Sequence, residues 1–281
     1  MMFRAVFLCL CVWLLGCGAA AADDGAYAEL HGVRLWYTDT GGDGPVIVML
    51  HANTGTSAIW EKQARAFHAA GYRAIAFDRR GWGKSLADPG TESRPGSIAE
   101  DLDMLADHLK LEKFFLLGTA GGGFAALDYA AWRQDRLRGL IIGASTGAFS
   151  EPVMTDMTKR IAIPGMDKLP DEYIELGLSY RATDPDGVAA WNAIEAHARQ
   201  PGAPWQKLRT PNTFAKVETI TVPTLIMVAD ADLYAPQAVM KAWAAHIKNH
   251  EWVVIEDAGH AVAWERPEVF NTTVLDFLRR H

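Results

Sequence analysis

The residues best suited to chemistry lie in a glycine-dense turn at 114–123, which reads Phe-Phe-Leu-Leu-Gly-Thr-Ala-Gly-Gly-Gly. An apolar strand, then such a turn, then a helix-forming stretch is typical of a nucleophile elbow, Gly-x-Ser-x-Gly, in which a strained turn exposes a serine hydroxyl. That hydroxyl attacks a carbonyl carbon when a base removes its proton. In this chain Ala120 occupies the serine position, and its methyl group cannot act as a nucleophile.

The strands and helices that would position this turn can be predicted from the rest of the chain. Strand-like and helix-like segments alternate from about residue 26 to residue 144 and again from residue 223 to residue 280. Between them, residues 149–205 contain helical patches separated by prolines and no convincing strand. The alternation predicts an α/β fold whose mostly parallel sheet has helices on both faces. The interruption predicts an inserted helical cap over the carboxyl edge of the sheet, where such folds bind ligands.

Composition restricts the classes of protein to which the chain can belong. The 281 residues carry a formal net charge of −7, with 49% hydrophobic and 22% charged residues, which is an ordinary globular composition. The negative charge argues against nucleic acid or an anionic membrane surface as a partner. All 3 cysteines lie within residues 1–22. The rest of the chain therefore has no disulfide, no thiol nucleophile and no cysteine-based zinc site.

Residues 1–22 have the pattern of an export signal. Arg4 is the only charged residue before Asp23, and the apolar run Ala5–Leu15 is too short to span a bilayer. Two processing sites compete. Ala20-Ala21-Ala22 suits an ordinary signal peptidase, whereas Leu14-Leu15-Gly16-Cys17 resembles a bacterial lipoprotein box that would leave a lipid on Cys17. Either site predicts export, whether to the periplasm, to a lipid anchor at the bacterial envelope or out of the cell.

Several motifs after this leader resemble those of one superfamily. Residues 50–55 are similar to the His-Gly-x-x-Gly oxyanion loop of the α/β-hydrolases, with Ala52 in place of a glycine. Residues 78–85 are similar to the Asp-x-Arg-Gly-x-Gly-x-Ser loop, 223–232 to the strand that carries the catalytic acid, and 258–260 to the histidine loop. From about Glu29 to His281 the chain resembles the α/β-hydrolase superfamily, especially its capped esterases, lactonases and dehalogenase-like members.

The resemblance implies a division of the chain and a catalytic triad. Residues 23–148 and 206–281 would form the core, with a sheet of the eight-stranded type, and residues 149–205 the helical cap. The side chain at position 120 would attack, His260 would accept its proton, and a carboxylate would orient His260. Asp232 is the expected carboxylate because family spacing places the acid just before the turn at 233–236. Asp230 is the alternative.

Other site residues follow from the same resemblance. The backbone N–H groups of Asn53 and Gly121 are expected to form the oxyanion hole. His51 is expected to anchor the oxyanion loop through hydrogen bonds, and Trp191 of the cap is a candidate for lining the pocket. The implied partner is a small ester-like or lactone-like substrate. No cofactor or metal is implied, and contact with a membrane would arise only through a lipid on Cys17.

Three hypotheses account for Ala120. In the first, the parent protein carries serine at this position, and the chain is an inactivated form such as one made to trap substrate; loss of a triad serine lowers kcat on the order of a million-fold. In the second, the chain is a natural enzyme that uses His260 as a general base without a covalent intermediate, in lyase, isomerase or cyclase chemistry. In the third, it is a non-catalytic protein that binds a small molecule under its cap.

Overall fold

The computed structural model describes residues 25–87 and 95–281, in which nine strands form one sheet. The strands are β1 (Gly25–Leu30), β2 (Val33–Asp39), β3 (Val46–Leu50), β4 (Arg73–Phe77), β5 (Leu86–Ala87), β6 (Phe114–Thr119), β7 (Leu137–Gly143), β8 (Thr224–Ala229) and β9 (His250–Ile255). Their order across the sheet is β1-β2-β4-β3-β6-β7-β8-β9, and β5 pairs with β2 outside that path.

Most neighbouring strands run parallel. All pairs from β4–β3 through β8–β9 are parallel, whereas β2 runs antiparallel to β1, β4 and β5. Parallel neighbours require crossover connections, which the intervening helices supply. The predicted α/β class with a mostly parallel sheet is therefore confirmed. The strand beyond the expected eight is β5, whose two exposed residues are too few to give a periodic pattern in the sequence.

Helices fill the connections between the strands. In the described part of the chain they are α1 (Glu61–Ala69), α2 (Ile98–His108), α3 (Gly121–Arg133), α4 (Pro152–Ile161), α5 (Glu172–Glu175), α6 (Leu178–Thr183), α7 (Pro185–Glu195), α8 (Phe214–Val217), α9 (Gln237–Ala244), α10 (Val262–Glu265) and α11 (Pro267–Arg280). The N-terminus of α2 is closed by Ser97 and Glu100, which form a capping box with reciprocal hydrogen bonds.

The hydrophobic core lies in two layers, one on each face of the sheet. Successive side chains of a strand point to opposite faces, so Phe114 and Leu116 of β6 join one buried cluster and Phe115 and Leu117 join the other. Residues of α2, α3 and α9 complete the first cluster, and residues of α1 and α11 complete the second. Helices thus cover both faces, as the alternation of elements predicts.

A helical insertion separates β7 from β8. It contains α4 to α8, and prolines occupy the first turn of α4 and of α7, where the missing N–H would have no intrahelical acceptor. A buried cluster joins the insertion to the segment that follows β9: Trp191 of α7 packs with Leu176 and Tyr180 and with Trp264 of α10. Burial of these large rings stabilises the contact between the insertion and α10.

Nothing in the described segments crosses a bilayer as a helix. Across residues 25–87 and 95–281 no helix combines the length and the apolar character that a membrane span requires. The predicted leader at residues 1–22, with its proposed lipid site Cys17, lies outside the described residues.

Candidate active site

Residue 120 lies at the turn between β6 and α3. Its backbone has φ 48° and ψ −118°, a sparsely populated conformation that costs a non-glycine residue on the order of 1–3 kcal/mol. Two hydrogen bonds hold the turn: the N–H of Ala120 donates to the carbonyl of Gly143 at 3.0 Å, and the Ser145 hydroxyl donates to the carbonyl of Ala120 at 2.8 Å. Ala120 also lines a cavity. The backbone of a nucleophile elbow is present, without a nucleophilic side chain.

Glycine at the start of α3 permits the close approach of this helix to β3. A Cβ atom on Gly122 would lie only 2.2 Å from the carbonyl oxygen of Leu50, a distance that no side chain could tolerate without backbone movement. The glycine run therefore packs helix against strand and keeps the N-terminus of α3 directed at the cavity.

Asp232 and His260 are brought together from two different loops. Asp232 follows β8 and His260 follows β9, and the Nδ1 atom of His260 lies 2.8 Å from an Oδ atom of Asp232. The other carboxylate oxygen accepts the N–H groups of Tyr234 at 2.7 Å and Ala235 at 2.9 Å. Asp230, the alternative acid, is exposed to solvent. The geometry therefore selects Asp232 as the partner of His260 and leaves Nε2 of the imidazole for another group.

Electrostatics make this pair an ion pair at neutral pH. Burial alone would lower the pKa of His260, but the carboxylates of Asp232 and Glu175 outweigh it and raise that pKa to about 9. Burial opposes ionisation of Asp232, yet His260 and the two N–H donors hold its pKa below the usual value. At neutral pH these carboxylates therefore favour the imidazolium form of His260.

The oxyanion loop is clamped by residues of the 78–85 loop. Arg79 donates from Nη2 to the carbonyl of Ala52 and to Oδ1 of Asn53, each at 3.0 Å, and the indole N–H of Trp82 donates to the carbonyl of Asn53 at 2.8 Å. A Cβ atom on Gly121 would lie 2.5 Å from Oδ1 of Asn53, so the side chain of Asn53 packs directly against Gly121. The N–H of Gly121 opens α3, where backbone donors have no intrahelical acceptor.

The ring of His51 links this loop to Arg79 through hydrogen bonds. Its Nε2 accepts the N–H of Arg79 at 3.0 Å, so its Nδ1 carries the proton and donates to the carbonyl of Ala52 at 2.7 Å. Complete burial and the nearby Arg79 guanidinium keep the pKa of His51 well below the usual value. His51 is therefore a neutral structural histidine, in the anchoring position expected from the sequence.

These groups converge on a cavity of about 250 Å³. Asn53, Ala120, Gly121 and His260 all line it. Trp191 does not line this cavity but lies in the buried apolar cluster described above, because α7 turns its indole inward. Its assignment to the pocket is therefore corrected to packing of the insertion.

The sequence analysis missed one ionisable residue of the cavity. Glu175 of α5 lines the cavity and is only 7% exposed. Burial raises its pKa to about 7; the His260 charge lowers it, and the Asp232 and Asp171 carboxylates raise it. The local sequence signal is weak: Glu175 stands between the apolar Ile174 and Leu176, an arrangement that identifies burial of the segment but not the cavity it faces.

Hydrogen bonds fix the position of Glu175 above the histidine loop. The carbonyl of Glu175 accepts the N–H of Ala261 at 2.9 Å. One carboxylate oxygen of Glu265 accepts the N–H groups of Gly177 and Gly259, both at 3.0 Å. A Cβ atom on Gly259 would lie 2.4 Å from the nitrogen of Gly177, so these two backbones touch. The insertion is thereby joined to the loop that carries His260.

Comparison with known proteins places this geometry in a family. A model of the α/β hydrolase family matches residues 47–273. A 2-hydroxy-6-oxononadienedioate/2-hydroxy-6-oxononatrienedioate hydrolase of Klebsiella pneumoniae is 27% identical over 273 residues, covering 88% of this chain and 92% of that protein.

Two solved structures are similar along nearly their whole length. The enol-lactonase of Burkholderia xenovorans LB400 superimposes with a TM-score of 0.73 at 25% identity. The alignment covers 90% of this chain and 99% of the enol-lactonase. A thermophilic esterase of Thermogutta terrifontis, with malate bound, superimposes with a TM-score of 0.72 at 26% identity. The alignment covers 91% of this chain and 98% of the esterase. The match over most of the chain, together with the elbow, the oxyanion loop and the Asp232–His260 pair, shows that the chain belongs to the α/β hydrolase family.

Proposed function

We propose that the chain is an ester or lactone hydrolase scaffold that binds a small carbonyl compound but forms no acyl-enzyme. The observation that carries this proposal is the elbow backbone at Ala120, which is retained although its side chain lacks a nucleophile. The Asp232–His260 pair and the oxyanion loop surround the same cavity. A protein that keeps all parts except the attacking atom is suited to hold a substrate in a reactive pose.

The residues would divide the work as follows. The N–H groups of Asn53 and Gly121 donate to the carbonyl oxygen of the substrate and stabilise negative charge on it. In a parent with serine at position 120, His260 would accept the hydroxyl proton and return it to the leaving group, and Asp232 would hold the imidazolium. With Ala120, only water could attack, and we expect covalent turnover to be lost by a factor on the order of a million.

The names of the relatives support carbonyl chemistry but not one substrate. The compared proteins are named as hydrolases of a dioate, as an enol-lactonase and as an esterase. A dioate carries two carboxylates, whereas two residues lining this cavity, Asp171 and Glu175, are themselves acidic. Like charges within a small cavity repel, so the dioate substrate does not carry over to this chain.

A second function, acid–base catalysis without a covalent intermediate, is favoured by Glu175. Its buried carboxyl group and His260 line the same cavity. A site with two proton-transfer groups, oxyanion donors and no nucleophile is suited to move a proton next to a carbonyl, with the resulting enolate held by the oxyanion donors. Such a step occurs in one group of lyase, isomerase and cyclase reactions, those that pass through an enolate.

The test is to restore the nucleophile. We expect Ala120→Ser to hydrolyse short p-nitrophenyl esters or lactones at least a thousandfold faster than the chain itself, with a burst of acyl-enzyme detectable by mass spectrometry. Ala120→Gly keeps the elbow free of a hydroxyl and serves as the matched control, with no gain expected.

Other results distinguish the alternatives. If Ala120→Ser folds but gains no activity, the hydrolase scaffold proposal is wrong. Activity that exists without serine, resists organophosphates and disappears in His260→Ala would establish the non-covalent enzyme. A ligand that raises the melting temperature of the chain without being consumed, equally well in His260→Ala, would establish a binding protein.

We also propose that the chain is exported, on the strength of residues 1–22 alone. Cell fractionation tests this, and Cys17→Ala separates the two processing routes. Loss of membrane association in that variant would support the lipoprotein, whereas unchanged release of a soluble form would support ordinary cleavage after Ala22.

A further inference from the structure

We infer that the cavity takes a substrate bearing an organic cation, an ammonium group, close to its carbonyl, and that Glu175 is the residue that selects it. This inference rests on the proposed function, because it concerns the substrate of the same cavity. It adds the charge class of that substrate, which neither the elbow nor the oxyanion loop determines.

The charges around the cavity are unbalanced. Two lining residues, Asp171 and Glu175, are acidic, and the part of the chain that the structure describes contributes no lysine or arginine to the lining. The lining cation is His260, whose Nδ1 is already paired with Asp232 at 2.8 Å. The charge of His260 is shared between Asp232 and Glu175, and with Asp171 nearby the cavity end of the insertion keeps an excess of negative charge.

Glu175 is the best placed of these carboxylates. It is 7% exposed, and the backbone bond from Ala261 together with the Glu265 bridge holds its segment above the histidine loop. Among the charges that act on Glu175, His260 is the cation and Asp171 and Asp232 are anions. A buried carboxylate of this kind gains most from a second cation brought by a ligand.

Further acidic groups surround Asp171. Glu195 of α7 shares a hydrogen bond with Asp171, and burial together with the Asp171 and Glu172 charges raises the pKa of Glu195. The insertion therefore presents a field that attracts cations and repels carboxylates.

The remaining lining suits an organic cation rather than a metal ion. Phe124 and Tyr234 line the cavity beside Glu175, and aromatic faces attract ammonium groups. Within residues 25–87 and 95–281 no three His, Cys, Asp or Glu side chains gather in a way that could hold a metal ion. A volume of about 250 Å³ accommodates a small ester with a substituted ammonium.

The test compares esters of equal shape and different charge. Acetylcholine carries a quaternary ammonium, and 3,3-dimethylbutyl acetate replaces its nitrogen with carbon. We expect calorimetry at pH 8 with the full chain, which lacks the nucleophile, to show at least tenfold tighter binding of acetylcholine, about 1.4 kcal/mol. Monomethyl succinate, an anionic ester, should bind more weakly than either.

A pair of variants assigns the effect to one carboxylate. Glu175→Gln removes the charge and keeps the shape, and it should reduce the ratio between the cationic and neutral esters to near one. Asp186→Asn is the matched control, since Asp186 is an exposed acid of the insertion that does not line the cavity. It should leave the ratio within a factor of about two.

The pH dependence of the unmodified chain supplies a measurement that needs no variant. The groups facing Glu175 are Asp171, Tyr234, Asp232 and His260. Between pH 5.5 and pH 8 His260 stays protonated, since its pKa is about 9, whereas Glu175 ionises near pH 7. Preference for the cationic ester should therefore increase as the pH rises through about 7.

Each outcome bears on a definite claim. Equal affinity for the cationic and neutral esters at both pH values would overturn the inference while leaving the proposed function standing. A preference that survives in Glu175→Gln would overturn the role of Glu175. Failure of esters of every charge to bind would instead count against the proposed function.

Discussion

The two sides of the cavity are built in different ways. The core side, with Asn53, Ala120 and His260, lies on loops at the carboxyl ends of strands and presents backbone N–H groups and one imidazole. The other side, with Asp171 and Glu175, belongs to the insertion and presents carboxylates. The core side carries the elbow and the loop motifs that resemble a hydrolase family, and the insertion contributes two acidic side chains to the lining. Reaction class and substrate class can therefore be determined by separate parts of one site.

The two sides are also held differently. The loops with Asn53 and Ala120 follow β3 and β6, which have hydrogen-bonded neighbours on both sides, whereas His260 follows the edge strand β9. The insertion meets the core at its cavity end through the Glu175 carbonyl and the Glu265 bridge. A few bonds therefore determine how the carboxylates face the imidazole.

The largest expected effect concerns the acid on the core side. In the Ala120→Ser background, Asp232→Asn should lower kcat for ester hydrolysis by about ten-thousandfold, since the imidazole would lose the partner that fixes its tautomer. Asp230→Asn, which changes an exposed acid two residues away, should leave kcat within a factor of about two. Steady-state kinetics on a p-nitrophenyl ester measures both; an equal loss in the two variants would show that the acid has been misassigned.

The next effect concerns the bridge between the two sides. Glu265→Gln should reduce the free energy of unfolding by about 1–3 kcal/mol, because the N–H groups of Gly177 and Gly259 would bond to a neutral amide oxygen, and hydrogen bonds to a charged oxygen are the stronger. Glu268→Gln is the matched control on an exposed carboxylate nearby and should change little. Urea denaturation followed by fluorescence tests this. Equal stabilities would mean that the bridge does not hold the insertion to the core.

The smallest effect is the influence of the insertion on the imidazole. Glu175→Gln should lower the pKa of His260 from about 9, because one of the carboxylates that favour the imidazolium is removed. NMR titration of the His260 ring reports it, and an unchanged pKa would show that the two sides are electrostatically independent.

Because the folded-state pKa lies above the unfolded value of about 6.5, the stability that the ion pair contributes is complete below that pH. It is lost as the pH rises through about 9.

Much of the fold could be predicted from local patterns. The apolar strand and the helix predicted on either side of the elbow are β6 and α3. Apolar runs and glycine-rich turns are local signals, since they depend on backbone geometry within a few residues. The two-residue strand β5 escaped prediction because its pairing with β2 depends on a distant segment.

The candidate site was predictable on one side only. Loop motifs identified Asn53, Gly121, Asp232 and His260, and their catalytic roles stay a prediction until the variants are measured. Nothing local identified Glu175, because an acid within a short helix is most often solvated.

By itself, the sequence predicted the alternation of strands and helices, the elbow turn with alanine at position 120 and the loops that meet at the carboxyl edge of the sheet. These features follow from residue types within short windows. Only the tertiary structure decided that Asp232 rather than Asp230 meets His260, across a separation of 28 residues, and that Trp191 packs against Trp264 of α10. It alone brought the segment after Glu175 onto the histidine loop, through a bridge between residues 88 apart. The physical reason is that burial and electrostatic partnership depend on which distant segments pack together, a property that no local pattern contains.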